Sequence, residues 1–210
     1  MTSPSHEFEA LRQRALVCTM CDLAESRTNV VFGVGDSSAR LMIVGEAPGK
    51  NEDLQGEPFV GAAGRLLDEL LAGIDITRSE VYIANVIKCR PPANRDPRPD
   101  EIESCKPYLR EQIRLIKPEV VMTLGNFATK LLLQTETGIT RLRGERYDWL
   151  LGAILIPTFH PAAALRGGER VKNQMREDFA LVRTTLSSPR PVELPSSQEA
   201  TPEDQMELFG

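Results

Sequence analysis

The sequence predicts an α/β fold: a mostly parallel sheet with helices on both faces. Short apolar runs rich in β-branched residues recur along the chain, helical patterns lie between them, and alternation of that kind implies crossover connections. The 210 residues, 41% of them hydrophobic, can bury one good core, so one domain with appendages is expected.

The elements follow in order. Residues 41–44 form a continuous apolar run ending at glycine, as a strand buried on both faces should. Leu66, Leu67, Leu70 and Leu71 then line one helical face after Gly64. Residues 81–87 read as a second strand, followed after Pro99 by a helix with Ile102, Tyr108, Leu109, Ile113 and Ile116 on its apolar side. A third strand is expected at 120–124, a helix at 126–133, a fourth strand at 154–156, and a last helix from Val171 to about Leu186. His6 is expected to precede the first helix and has no assigned role.

The folded domain is therefore 1–186, with a tail at 187–210. Residues 187–204 are rich in Pro, Ser and acids and too poor in apolar residues to order themselves. The net charge of −5 comes largely from this tail, which has one Arg against five acids, while the body has 24 basic and 25 acidic residues. Basic residues cluster at Lys88, Arg90, Arg95 and Arg98, at Arg141, Arg143 and Arg146, and at Arg166, Arg170, Lys172 and Arg176. Such local patches are what phosphate contact needs. No apolar run approaches membrane-spanning length and nothing at the start resembles a secretory leader, so a cytoplasmic protein is expected.

Four cysteines are present: Cys18 and Cys21 on a C-x-x-C turn, then Cys89 and Cys105. In a reducing compartment thiolate ligation is favoured over two disulfides, and the spacing can gather all four around one centre. Tetrahedral zinc and an iron–sulfur cluster both accept four thiolates.

Ligands of parallel sheets sit beyond the carboxyl ends of the strands, and the unusual residues collect there. Gly45-Glu46-Ala47-Pro48-Gly49 follows the first strand, then Glu52, Asp53 and Phe59. Asn85 closes the second, with Cys89-Arg90 behind it, and His160-Pro161 follows the fourth. A backbone-rich turn, acids, an amide and an imidazole thus aim at one crevice.

These segments, with Gly56-Glu57-Pro58-Phe59-Val60-Gly61 and the run from Asn85 through Cys89-Arg90-Pro91-Pro92, resemble the family 4 uracil-DNA glycosylases of bacteria and archaea. The resemblance covers roughly residues 11–186. It implies a three-layer α/β/α sandwich with a central four-stranded parallel sheet, and a [4Fe-4S] cluster on Cys18, Cys21, Cys89 and Cys105. It also implies hydrolysis of the N-glycosidic bond of deoxyuridine in single- or double-stranded DNA. Uracil would be bound by Gly45, Glu46, Ala47, Phe59, Asn85 and His160. Phe59 would stack on the base, Asn85 would read its Watson–Crick edge, and His160 would stabilise the departing anion. A related family uses an Asp where this chain has Ala47, so the water-orienting role falls first to Glu52 and second to Glu46. Glu52 has a further expected role, crowding the 5-methyl position of thymine.

Arg90, Arg95 and Arg166 are expected at DNA phosphates, and Leu165 as a wedge in the duplex. A covalent relative uses a His in the loop after the second strand; that loop here, 89–97, has none, which favours turnover. No motif places a Schiff-base lysine, so a monofunctional, monomeric enzyme is expected. A non-catalytic iron–sulfur DNA-binding or uracil-sensing module is the alternative. The end of the tail, with Gln205, Leu208 and Phe209, looks like the peptide by which bacterial repair proteins bind the sliding clamp, so a clamp is an expected partner.

Overall fold

Residues 4–188 are described by the structure, a computed structural model. Six strands form one sheet: β1 (Val34–Gly35), β2 (Leu41–Gly45), β3 (Tyr82–Asn85), β4 (Val120–Leu124), β5 (Tyr147–Asp148) and β6 (Ile154–Thr158). Their order is β1-β3-β2-β4-β6-β5. The four central strands are parallel. Two antiparallel edge strands, β1 and β5, were not expected, because two residues carry no periodicity to read.

Both faces of the sheet are covered, which is why every residue of β2 is buried. Met42 and Val44 point into a core with Leu109, Ile113 and Ile116 of α5 (Pro99–Ile116) and with Ala128 and Leu132 of α6 (Asn126–Leu133). Leu41 and Ile43 point the other way, to Leu66, Leu67, Leu70 and Leu71 of α4 (Ala62–Ala72) and to Met175, Phe179 and Val182 of α9 (Glu169–Ser187). A satellite core joins α1 (Pro4–Leu16) to α5 through Leu11, Ala15 and Phe32, with Phe8 edge-on to Phe32 and to Tyr82. Because α1 begins at Pro4, His6 lies within it rather than before it. The short α3 (Lys50–Gln55) and α8 (Pro161–Gly167) follow β2 and β6 directly.

From β2 the chain steps to β3 on one side and then returns by α5 to β4 on the other. The connections after β2 and β3 leave in opposite directions, and such a point opens a crevice at the carboxyl ends. The second strand ends at Asn85 rather than 87. Val86 and Ile87 donate to the carbonyls of Gly45 and Glu46, and the chain then turns into the segment bearing Cys89. The last two residues of the described chain close α9; the tail expected beyond them, with Gln205, Leu208 and Phe209, lies outside the described residues.

Candidate active site and cysteine centre

The register of β2 on β3 sets Gly45 beside Asn85. A Cβ at Gly45 would collide with Asn85 Oδ1 and lie 2.7 Å from Phe59 Cζ, so glycine opens the space those two side chains face. Asn85 is buried, and its Oδ1 has no hydrogen-bond partner. An unpaired buried carbonyl costs about 1–3 kcal/mol, a cost that persists only where a ligand recovers it or other structure enforces it.

Phe59 is fixed from several directions. Its backbone is left-handed, with φ of 55°, and the ring is buried. The carbonyl before it, at Pro58, accepts from Arg78 Nη2. The amides after it, of Val60 and Gly61, donate to Glu52 Oε1 at 3.1 and 3.4 Å. A Cβ at Gly64 would strike the Phe59 carbonyl, so α4 can begin this close only with glycine there. The Phe59 ring lies 5.7 Å from that of His160, tilted by 31°. Phe59 thus neighbours both the carboxamide and the imidazole.

His160 caps α8. Its Nδ1 accepts from Ala162 N at 3.2 Å, which leaves the ring proton on Nε2. Burial holds its pKa down to about 4; Arg166 pushes the same way and Glu52 opposes. The ring is therefore a neutral N–H donor at physiological pH. Gly125, at the end of β4, admits it: a Cβ there would stand 2.9 Å from His160 Cβ.

Glu46 is half-buried, and its carboxyl is pushed up by burial and by Asp96. With Asp96, Gly125 and His160 it lines a cleft of about 640 Å³, to which Lys106 and Lys130 also contribute. Those lysines are ion-paired, to Glu103 at 2.6 Å and Glu136 at 3.0 Å. Glu46, not Glu52, shares the cleft with His160. Glu52, expected first at the water, accepts through Oε1 from the Val60 and Gly61 amides, beside the Phe59 loop. Ala47 packs partly against the core, and Asp53 accepts from Thr28 and Asn29, which ties the segment before β1 to α3.

Several expected phosphate contacts are engaged within the protein. Lys88 is buried and cannot face DNA. Arg95 makes a two-pronged pair with the fully buried Glu101, at 2.5 and 2.9 Å, and Arg98 Nε also donates to Glu101 at 3.2 Å. Arg143 is locked against Asp178, Gln174 and the face of Phe159. Arg90 is partly exposed with Nε on Asn94 Oδ1 at 2.7 Å. Leu165 and Arg166 are exposed together on α8, directly after His160.

The four cysteines form no disulfide. Arg27 Nη1 reaches Cys89 Sγ at 3.4 Å and the Lys88 amide donates to Cys105 Sγ at 3.2 Å. Burial pushes the Cys105 thiol up to about 12, so a charged sulfur there needs a partner beyond these donors. Among the described residues no three Cys, His, Asp or Glu side chains converge on the position of a single ion. Four thiol sulfurs are a donor set that tetrahedral zinc and an iron–sulfur cluster both accept.

Sequence reading missed Gly125, Asp96, Gly64 and Arg78. Only the two glycines left a signal, each sitting where a strand or loop turns into a helix.

Known proteins place the chain. Residues 32–182 match the model of the uracil DNA glycosylase superfamily. The type-4 uracil-DNA glycosylase of Thermotoga maritima is 48% identical over 160 residues, 76% of this chain and 83% of that one. The one from Archaeoglobus fulgidus is 47% identical over 169 residues, 77% and 82% of the two chains. The one from Sulfurisphaera tokodaii is 43% identical over 191 residues, 87% and 86%. A chain that matches these relatives along most of their length belongs to the uracil-DNA glycosylase superfamily, among its type-4 members.

Proposed function

We propose that this protein hydrolyses the N-glycosidic bond of deoxyuridine in DNA, releasing uracil and leaving an abasic site, with Asn85 as the reader of the base. The unpartnered, buried Oδ1 of Asn85 carries this reading. Uracil stacked in a duplex is out of reach, so the nucleotide must be extruded into the pocket. There Oδ1 accepts from N3–H and Nδ2 donates to O4. Cytosine presents the reversed pattern and leaves both halves mismatched, which can discriminate by about 10⁴-fold. Phe59 stacks on the ring, a contact of about 1–3 kcal/mol.

Bond cleavage leaves a uracil anion and an oxocarbenium-like sugar. His160 donates through Nε2 to uracil O2 as a neutral imidazole, and removing a preorganised donor of this type costs about 10²–10³ in rate. Glu46, in the same cleft, orients the water and stabilises the sugar cation; Glu52 holds the Phe59 loop and crowds the place of a 5-methyl group. Leu165 fills the vacated base position, with Arg166 and Arg90 at phosphates. Lys106 and Lys130 reach the cleft only as ion-paired ammonium groups, which fits a monofunctional hydrolase.

Cys18, Cys21, Cys89 and Cys105 are the residues to hold a [4Fe-4S] cluster. When bound it supplies a cross-link rather than a chemical step, joining the N-terminal segment to α5 and to the loop bearing Arg90. The tail is read as a clamp ligand. Deleting 205–210 should abolish clamp pull-down and leave excision from short oligonucleotides unchanged; retained pull-down would dispose of that assignment.

A uracil-containing oligonucleotide incubated with the protein and then treated with alkali tests the activity. Cleavage at uracil is expected from the parent, reduced at least about 10²-fold in Asn85→Ala and His160→Ala. An intact strand from cluster-loaded parent protein would leave a DNA-binding module instead.

A further inference from the structure

Asp178 of α9 is 1% exposed, and both of its carboxylate oxygens are taken by elements other than its own. Arg143, the residue that closes α7 (Ile139–Leu142), meets it with two prongs, Nε to Oδ2 at 2.9 Å and Nη2 to Oδ1, and turns the same Nη2 to the Gln174 carbonyl at 2.6 Å. Thr158, the last residue of β6 and fully buried, donates its hydroxyl to Oδ2 at 2.6 Å. Gly144 makes room for the acid, since a Cβ there would stand 2.8 Å from Oδ1. The main chain at the end of β6 is held as well: the Thr158 carbonyl accepts from Gly125 N at 2.9 Å and the Pro157 carbonyl from Gly144 N at 3.1 Å. His160 follows two residues later, and Gly125, bonded to Thr158, is the residue whose Cβ would stand 2.9 Å from His160 Cβ.

We propose that Arg143, Asp178 and Thr158 are positioning residues for His160: the buried carboxylate, held by the guanidinium, fixes the end of β6 and with it the place of the imidazole. The inference rests on His160 as the donor to the uracil anion, as proposed above. A buried ion pair adds little net stability, because each charge gives up its water. Its use here is direction. The guanidinium fork fixes the rotation of the Asp178 carboxylate, so Oδ2 meets the Thr158 hydroxyl in one orientation, and a hydroxyl bound to a carboxylate is held about twice as strongly as one bound to a neutral acceptor. Helix α9 is thereby tied to β6 at the point where the chain leaves the sheet. Thr158 carries Gly125 with it through its carbonyl, and Gly125 bounds the His160 side chain. Because Nδ1 of the ring is committed to the Ala162 amide, a shift of the main chain between 158 and 160 moves Nε2 against uracil O2. A misplacement of about 1 Å at such a donor can cost about 10²-fold in rate.

Thr158→Val, which keeps the branched shape and removes the hydroxyl, is compared with the parent and with Thr158→Ser by steady-state and single-turnover excision from a uracil-containing oligonucleotide. In Thr158→Val kcat should fall about tenfold, with KM for DNA within about twofold of the parent. Thr158→Ser, which keeps the hydroxyl, should recover most of that loss. A cycle with His160→Ala separates positioning from general loosening: in that background Thr158→Val should change excision by less than about twofold, because the group it aligns is gone. A parent kcat in Thr158→Val overturns the proposal, as does an undiminished loss in the His160→Ala background or a Thr158→Ser as slow as Thr158→Val. If Thr158→Val does not fold, Asp178→Asn is taken through the same cycle: a slowing that vanishes without His160 supports the proposal, and a slowing that persists there, or none at all, overturns it. A parent that leaves uracil in place would sink the reading of the site and this inference together. An active parent with an indifferent Thr158→Val would sink the inference alone.

Discussion

His160 is a neutral donor because its surroundings refuse a proton. Its folded pKa of about 4 lies below the ordinary 6.5, so the unfolded chain binds the proton first as pH falls. Its contribution to stability is complete above about 6.5 and is lost between there and about 4. His160→Gln should therefore flatten the loss of Tm across that window; an unchanged slope would contradict the assignment. In catalysis no break near 6.5 is expected. The acid limb belongs to Glu46, raised by burial and Asp96, so activity should fall at a pH above the usual glutamate range and Glu46→Gln should remove that limb. Gly45 makes the sharper steric test. With Asn85 Oδ1 and Phe59 Cζ crowding any Cβ, Gly45→Ala should cut excision by at least about 10²-fold at a temperature where the variant is still folded. Parent activity would mean that the base does not lie there.

At the scale of elements, two devices hold the site. The amides of Val60 and Gly61, where the Phe59 loop enters α4, are bound by Glu52 of α3, which presents Phe59 to the pocket. The first turn of α5 is pinned by Glu101, whose carboxyl the Arg95 guanidinium holds down to about 2 despite burial, with Arg98 assisting. Glu101→Gln should release both arginines and loosen the loop between Cys89 and Cys105. A fall in Tm of at least about 2–4 °C is expected, the shift that one kcal/mol brings in a domain of this size, with faster iron loss to a chelator. No change in either would make the ion pair ornamental.

These devices also mark what the sequence could not disclose. The apolar runs of β2, β3, β4 and β6 were legible because burial on both faces writes continuous hydrophobicity. Phe59, Asn85 and His160 were legible because they stand at strand ends or in the loop that follows one. The arginines were not. A basic side chain looks the same in sequence whether it faces a phosphate or, like Arg95 and Arg143, a carboxylate brought in from another turn or helix. Lys88 misled for the same reason, since its neutral partner Gln112 lies 24 residues away. Both carboxylates follow β2 closely, so the sequence does not disclose that Glu52 of α3 turns toward the Phe59 loop while Glu46 lines the cleft with His160.

For the molecule as a whole, the doubly wound sheet sets the ends of β2, β3 and β6 around one crevice. Exposed Leu165 and Arg166 on α8 lie beside that opening, where an extruded nucleotide would leave its strand. Everything depends on one base fitting between the carboxamide and the imidazole. The most direct measurement is a crystal structure of the protein with uracil bound. Asn85 Oδ1 should accept from N3–H and His160 Nε2 should lie within hydrogen-bond distance of O2, with the ring stacked on Phe59. Uracil seated elsewhere, with Oδ1 still unpartnered, would contradict the account.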